Sequence, residues 1–305
     1  MLAGIYPIVP TPFDERGAID AHSIRTMTAF MVNRGVNGLA ILGVMGEVDR
    51  LIDAEREQVV RLFREALPRT HTLVAGVFAN GTDAAIHASR RAVDLGADAL
   101  LVGPLPVQSD EVIFEYYRRI GEAVSVPIIV HDCPIATRVM LSPPLLARLY
   151  KEITQVQYVK LEDPPTGPKI DRVRSLAGAS LGIFGAYGGL YALEELERGA
   201  CGIMTGFVYQ DLLVRLYTLH RAGEIDKAAD LFYTILPLIR FEFQPGLGVS
   251  LRKAVLARLG AIRSATVRHP GAVADDETLR QLERIEGFLE ARGYLSRSTG
   301  KTAAG

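Results

Sequence analysis

A lysine can hold a carbonyl compound as an imine only when its amine is neutral, and a neutral amine near pH 7 needs shelter from water. The chain has 34 basic residues, of which only six are lysine: Lys151, Lys160, Lys169, Lys227, Lys253 and Lys301. Lys160 is the conspicuous one, because it closes the apolar run Val156-Gln157-Tyr158-Val159. Desolvation there would lower its pKa and make it a nucleophile; the alternative is a lysine that snorkels to the rim or pairs with Glu162 or Asp163. Glu162 follows two residues later, on the same face if the chain stays extended, where a carboxylate could take a proton alpha to an imine. His131 ends another apolar run. Its imidazole, with an unperturbed pKa of about 6.5, could shuttle protons or donate to a leaving hydroxyl, or it could be a hydrogen-bonded rim histidine.

Other residues complete a possible pocket. In Gly43-Val44-Met45-Gly46-Glu47, two glycines permit a tight turn whose N–H groups form a small anion nest; an ordinary turn is the plainer reading. Thr205-Gly206 follows a further apolar run, and Arg138 is placed to contact a distal carboxylate. Tyr6 and Tyr187 are polar-tipped candidates for the wall, more in keeping with structural roles, and Cys133 reads as packing. His22, His71, His87, His220 and His269 are scattered without metal-ligand spacing, so neither a metal nor any cofactor beyond the covalent imine on Lys160 is expected.

These residues need a scaffold that collects strand ends. Short apolar runs at Gly4–Val9, Gly38–Leu42, Thr72–Val77, Ala99–Val102, Pro127–Val130, Val156–Val159, Leu181–Phe184 and Gly202–Met204 alternate with amphipathic helical segments. Continuous apolar strands joined by helices predict a parallel sheet covered on both faces. Eight such units, with no G-x-G-x-x-G after the first, predict an α/β fold of (β/α)8 TIM-barrel type, with its active site at the C-terminal ends of the strands. Asp53, Ser109 and Ser142-Pro143 are read as helix starts and Gly96 as a helix stop. The barrel is expected over 1–222, a C-terminal helical extension over 223–295 with helices at Asp226–Arg240, Gly248–Leu259 and Asp275–Arg292, and a disordered tail from Ser296 to Gly305.

Composition sets the outer bounds. Of 305 residues, 49% are hydrophobic and 23% charged, ample for a large core. A net charge of −1 gives no electrostatic reason for nucleic acid or an anionic membrane as partner, so a charged substrate must be handled locally. No apolar stretch reaches the roughly 18 residues of a membrane span, and no basic region precedes the first apolar run. Two cysteines make no disulfide framework, and a cytoplasmic protein is expected.

Several of these motifs occur in a familiar order. Gly43-x-x-Gly46-Glu47, Pro134 after the fifth run, and Val159-Lys160 ending the sixth resemble the dihydrodipicolinate synthase and N-acetylneuraminate lyase family of class I aldolases. Pro10-Thr11-Pro12-Phe13 and Arg252-Lys253-Ala254-Val255-Leu256 fit the same family, so the resemblance spans nearly the whole chain. It implies that Lys160 forms the Schiff base with a small 2-oxo acid, that the glycine loop holds the carboxylate, and that the protein is a homo-oligomer, a tetramer or dimer. The departures are specific. Dihydrodipicolinate synthases usually have threonines where this chain has Val44-Met45, a tyrosine at His131, a tyrosine pair at Leu105-Pro106 and an arginine at Ala136. The proton relay of that synthase is absent. Lys160-Leu161-Glu162-Asp163-Pro164, Asp132-Cys133-Pro134 and the stretch Arg198–Gly206 are instead similar to 2-keto-3-deoxy sugar-acid dehydratases, such as those acting on 2-keto-3-deoxy-arabonate. A lyase acting on a 2-oxo acid is therefore expected. The competing expectations are a synthase-type pyruvate condensation and an inactive 2-oxo-acid-binding barrel.

Overall fold

Side-chain alternation along eight parallel strands sorts the apolar residues into two separate cores. In the computed structural model, which describes residues 1–295, the strands are β1 (Gly4–Ile5), β2 (Gly38–Ile41), β3 (Thr72–Val77), β4 (Ala99–Val102), β5 (Ile128–Asp132), β6 (Val156–Leu161), β7 (Gly182–Gly185) and β8 (Gly202–Ile203). Each pairs in parallel with its sequence neighbour from β2 to β8, and β8 returns to pair with β1. A parallel bridge between Ile8 and Ala40 closes the ring, with Ala40 N–H donating to Pro7 O and Val9 N–H to Ala40 O. The fold is a (β/α)8 barrel with further helices at its C-terminal end.

One core fills the barrel: Tyr6, Val74, Leu101, Ile129, Tyr158 and Phe184 are among its members. The larger one lies between the strands and the surrounding helices and takes the alternate residues, such as Ile128, Val130, Val159 and Leu161. One irregularity decides which face Lys160 occupies. Ile128 pairs with Val156 but Ile129 pairs with Tyr158, so Gln157 is left over as a bulge. Val156 packs outward; strict alternation from it would send Tyr158 and Lys160 outward as well. The bulge resets the phase and turns both into the barrel.

The strands depart from the expected runs at their ends. Within Gly4–Val9 the regular strand is only Gly4–Ile5, because Pro7 has no N–H to give; beyond it Tyr6 and Ile8 still donate to Ile203 O and Thr205 O (both 3.0 Å). β5 and β6 run two residues further than expected, which brings His131 and Lys160 inside the ladder rather than after it. Ser109 and Ser142 cap their helices, accepting from Val112 N–H (3.4 Å) and Leu145 N–H (3.2 Å). Asp53 does not cap: the helix begins at Asp53 itself, with Ile52 at the cap position donating its N–H to Glu55 (3.1 Å).

The eighth barrel helix is Gln210–Arg221, and three more follow at Ile225–Glu242, Gly248–Arg258 and Asp276–Glu290. Ile225–Glu242 packs on the eighth barrel helix and on Asp276–Glu290. Residues Ser296 to Gly305, expected as a tail, lie outside the described residues. No described helix is long and apolar enough to cross a membrane.

Strand closure leaves no room at β8. A Cβ on Gly202 would overlap the carbonyl oxygen of Gly4, which is backbone and cannot swing away. Gly202→Ala is therefore expected to destabilise the fold by about 1–3 kcal/mol or more, the usual range for overpacking, measured as a lower urea midpoint with an unchanged slope.

Candidate active site

The register of β5 against β6 sets His131 beside Lys160. Both side chains point into the barrel, and both are buried, with Lys160 only 3% exposed. The Lys160 amine lies 3.2 Å from His131 Nε2 and in direct contact with Glu162 Oε1. Glu162 lies one residue beyond β6, yet its N–H still donates to Asp132 O (2.7 Å), which prolongs the ladder and keeps its side chain on the inner face. Its other oxygen, Oε2, accepts from Cys133 Sγ at 2.8 Å. Four reactive side chains thus meet at one point.

Burial explains their protonation. Loss of water pulls the Lys160 amine down to about 8. A charged carboxylate in contact works the other way and favours the ammonium form. His131 is pushed well below its ordinary value by burial and then by the charge of Lys160, and is a neutral imidazole. Its ring stands edge-on to Phe78, centroids 5.6 Å apart. Burial also pushes the Cys133 thiol up, which keeps it a hydrogen-bond donor to Glu162. Asp132 faces the other way, toward the helices, where Lys169 lies 2.7 Å from it and 2.7 Å from Asp163.

A pocket of about 290 Å³ opens above this cluster. Gly43, Val44, Met45, His131, Lys160, Glu162 and Thr205 line it, so most of the expected site comes together. Val44–Gly46 form a single 3-10 turn, closed by Gly46 N–H to Gly43 O (2.9 Å) and Glu47 N–H to Val44 O (3.2 Å), which leaves the N–H groups of Val44 and Met45 outside those bonds.

Three expected residues are placed elsewhere. Gly46 sits behind the loop and accepts from the Thr11 hydroxyl (2.7 Å). Glu47 turns away from the pocket with a left-handed backbone (φ 56°) and pairs with Lys253 (2.5 Å), Arg50 (2.6 Å) and the N–H of Arg268 (2.9 Å). Arg138 ends the short helix Pro134–Thr137, also left-handed, outside the pocket lining. Tyr187 likewise stays out of the lining and stacks on Tyr191 and Phe243, while Tyr6 packs deep in the barrel against Phe184.

The pocket also has walls that strand logic did not supply. Phe243, Gln244, Gly246, Gly248, Val249 and Arg252 all come from the C-terminal extension. Arg252-Lys253 was visible as a motif, but nothing in its pattern says that this helix covers the barrel mouth. Cys133, expected as a packing residue, faces Glu162. Metal-ligand spacing was absent from the sequence, yet the fold brings His131, Cys133 and Glu162 within 4.8 Å of one another through their ligand atoms. The Lys160 amine shares that space, through its contacts with His131 and Glu162.

Comparison with known proteins gives the family. Residues 1–286 match the Dihydrodipicolinate synthetase family. The chain belongs to that family. It is 32% identical over 294 residues to an L-2-keto-3-deoxyarabonate dehydratase from Azospirillum brasilense, covering 94% of each chain. It is 28% identical to a 4-hydroxy-tetrahydrodipicolinate synthase from Methanothrix thermoacetophila, over 93% of this chain and 96% of that one. The crystal structure of a dihydrodipicolinate synthase from Rhodopseudomonas palustris superposes with a TM-score of 0.89 at 35% identity, over 94% and 97% of the two chains. The protein is thus a lyase or synthase of the dihydrodipicolinate synthetase family, whose members carry at least two reaction names on one barrel.

The depressed Lys160 amine has a measurable consequence. Its neutral fraction should rise through about pH 8, two units or more before a solvent-exposed lysine at about 10.4. Competitive acetylation followed by peptide mapping should give Lys160 a labelling midpoint near 8; a midpoint near 10 would mean that Glu162 holds the ammonium form.

Proposed function

We propose that the protein binds a 2-oxo acid as an imine on Lys160 and removes water from, or cleaves, a small 2-oxo-3-deoxy sugar acid. The observation that carries this reading is the contact of the buried amine with Glu162 and His131 at the base of one pocket. The amine adds to the C2 carbonyl, and loss of water leaves the iminium, an electron sink. Glu162, already touching the nitrogen, is positioned to take a C3 proton; the electron pair left behind expels the hydroxyl on C4, which departs with a proton as water. His131, neutral beside the same nitrogen, can pass protons between Glu162 and the departing oxygen. Hydrolysis of the imine returns Lys160.

The pocket supports dehydration or retro-aldol cleavage over condensation. Condensing pyruvate with an aldehyde through the synthase relay needs hydroxyls at positions where this chain has Val44, Leu105 and Pro106. Val44 and Met45 line the pocket, Leu105 is buried, and Thr205 supplies the lining with its side-chain hydroxyl. The likeness to the Azospirillum dehydratase points the same way.

Borohydride added with pyruvate should fix one adduct on Lys160, located by mass spectrometry and lost in Lys160→Ala. An adduct that survives that substitution removes the assignment. With both reactions assayed on one sample, dehydration or cleavage of a 2-oxo-3-deoxy sugar acid should exceed dihydrodipicolinate-type condensation by at least about 10²-fold, the usual worth of one proton-transfer group. Comparable rates would mean that the relay is rebuilt from other residues.

A further inference from the structure

A 2-oxo acid brings a carboxylate into a pocket whose anion nest has lost its hydroxyl side chains. Three cations line that pocket: Lys160, Arg50 and Arg252. Lys160 is taken up by the carbonyl on the proposed reading, and Arg50 is held at 2.6 Å by Glu47. Arg252 is different. It is 2% exposed, one turn into the helix Gly248–Arg258, and its guanidinium is poorly satisfied for a buried charge. Nη2 has no hydrogen-bond partner among the described residues. Nε lies 3.5 Å from Glu242 Oε2, too far for a hydrogen bond. Nη1 meets the thioether of Met45 at 2.9 Å, a weak acceptor on a flexible side chain. Glu242, the carboxyl at that distance, is itself fully buried and pushed up to about 7 by that burial; its Oε2 accepts from the N–H of Val208 (3.0 Å), and its Oε1 has no hydrogen-bond partner among the described residues.

The position of Nη1 is specific. It stands between Met45 of the glycine loop and Gly206 of the β8 loop, where a Cβ at 206 would come within 3.1 Å of it. Both of those residues line the pocket. The guanidinium therefore reaches the pocket on the wall where the loop amides of Val44 and Met45 also lie. A buried arginine whose one carboxylate neighbour stands off at 3.5 Å and is itself pushed toward its neutral form is costly unless an anion completes it.

We propose that Arg252 anchors the C1 carboxylate of the 2-oxo acid, displacing the Met45 thioether and binding together with the glycine-loop amides. This rests on the imine reading for the identity of the substrate, not for the site itself. A helix of the C-terminal extension thus supplies the charge that the glycine loop lacks, and it makes a carboxylate next to the carbonyl a condition of tight binding.

The test separates carboxylate from carbonyl. Pyruvate and acetone both offer a ketone, but only pyruvate offers the anion. In Arg252→Gln, half-saturation of borohydride trapping by pyruvate should shift up by about 10- to 100-fold, the range expected for a charge-assisted bond, while trapping by acetone keeps its parental concentration dependence. Arg252→Lys should recover part of the loss. An unchanged pyruvate dependence, or equal losses for both ketones, would overturn the assignment. Equilibrium dialysis of radiolabelled pyruvate without borohydride, on the Lys160→Ala background with and without Arg252→Gln, reads the carboxylate contact whether or not an imine forms. If parental protein traps no ketone, the imine reading fails while dialysis still decides Arg252. Should Arg252→Gln not fold, Arg252→Lys decides by selectivity: it keeps the cation but loses the planar fork, so half-saturation should rise for pyruvate and stay parental for acetone, and equal shifts for both would refute the anchor.

Discussion

The withdrawal of one amine from water is the constraint around which the mouth of this barrel is organised. An ammonium group with 3% exposure is expensive, and the fold meets that expense in three ways: a carboxylate in contact, a neutral imidazole at 3.2 Å, and partial loss of the proton itself. Each depends on the inner face of β5 and β6 continuing past the apolar runs. The Gln157 bulge is what sends Lys160 to that face. A strand of regular alternation would have delivered the same lysine to the helix layer, where Lys169 already serves Asp132 and Asp163.

The second dependence links the barrel to its extension. Glu47 and Lys253 are both buried and 2.5 Å apart, and Arg50 and Arg268 N–H complete the carboxylate. Removing one partner of such a pair costs several kcal/mol because the other is left charged and dry. The pair fixes the end of the glycine loop to the helix Gly248–Arg258, and the neighbouring residue Arg252 reaches Met45 of the same loop. The extension is thus part of the pocket wall, and the loop that would receive a carboxylate takes its shape from a helix some two hundred residues away in sequence.

Much of this was legible in the sequence, for identifiable reasons. Parallel strands buried on both faces announce themselves as continuous apolar runs, so the barrel and the order of its units could be read directly. Lys160 stood out because lysine is rare here and this one ends such a run. Glu162 and His131 followed from strand geometry, although their meeting required β5 and β6 to run longer than the apolar residues alone implied. What was hidden is long-range. Glu47 looked like part of the loop's anion site because its partner Lys253 lies in another element, and Arg138 looked well placed because a left-handed residue after Thr137 leaves no trace in the sequence. Arg252 was visible as a motif and silent as a wall of the pocket. Asp53 stands at a helix start, where its residue type fits both the cap and the first turn, and the structure puts it in the first turn.

The chemistry of the lumen follows from what surrounds the reactive group. Val44, Met45, Leu101 and Ile135 make much of the wall apolar, and the thiol of Cys133 is kept protonated by burial. On the proposed reading, protons pass among Lys160, Glu162 and His131 rather than to bulk water, because a transfer from ammonium to carboxylate cancels charge in a low dielectric. A reaction that takes a proton and expels a hydroxyl beside the proposed imine could be completed inside that set. A condensation that must exchange protons with an incoming aldehyde and with solvent needs a chain of hydroxyls leading outward, and the positions that would carry it are aliphatic. One barrel can therefore support either reaction while keeping its lysine, with the outcome set by whether the side chains between that lysine and solvent can carry a proton.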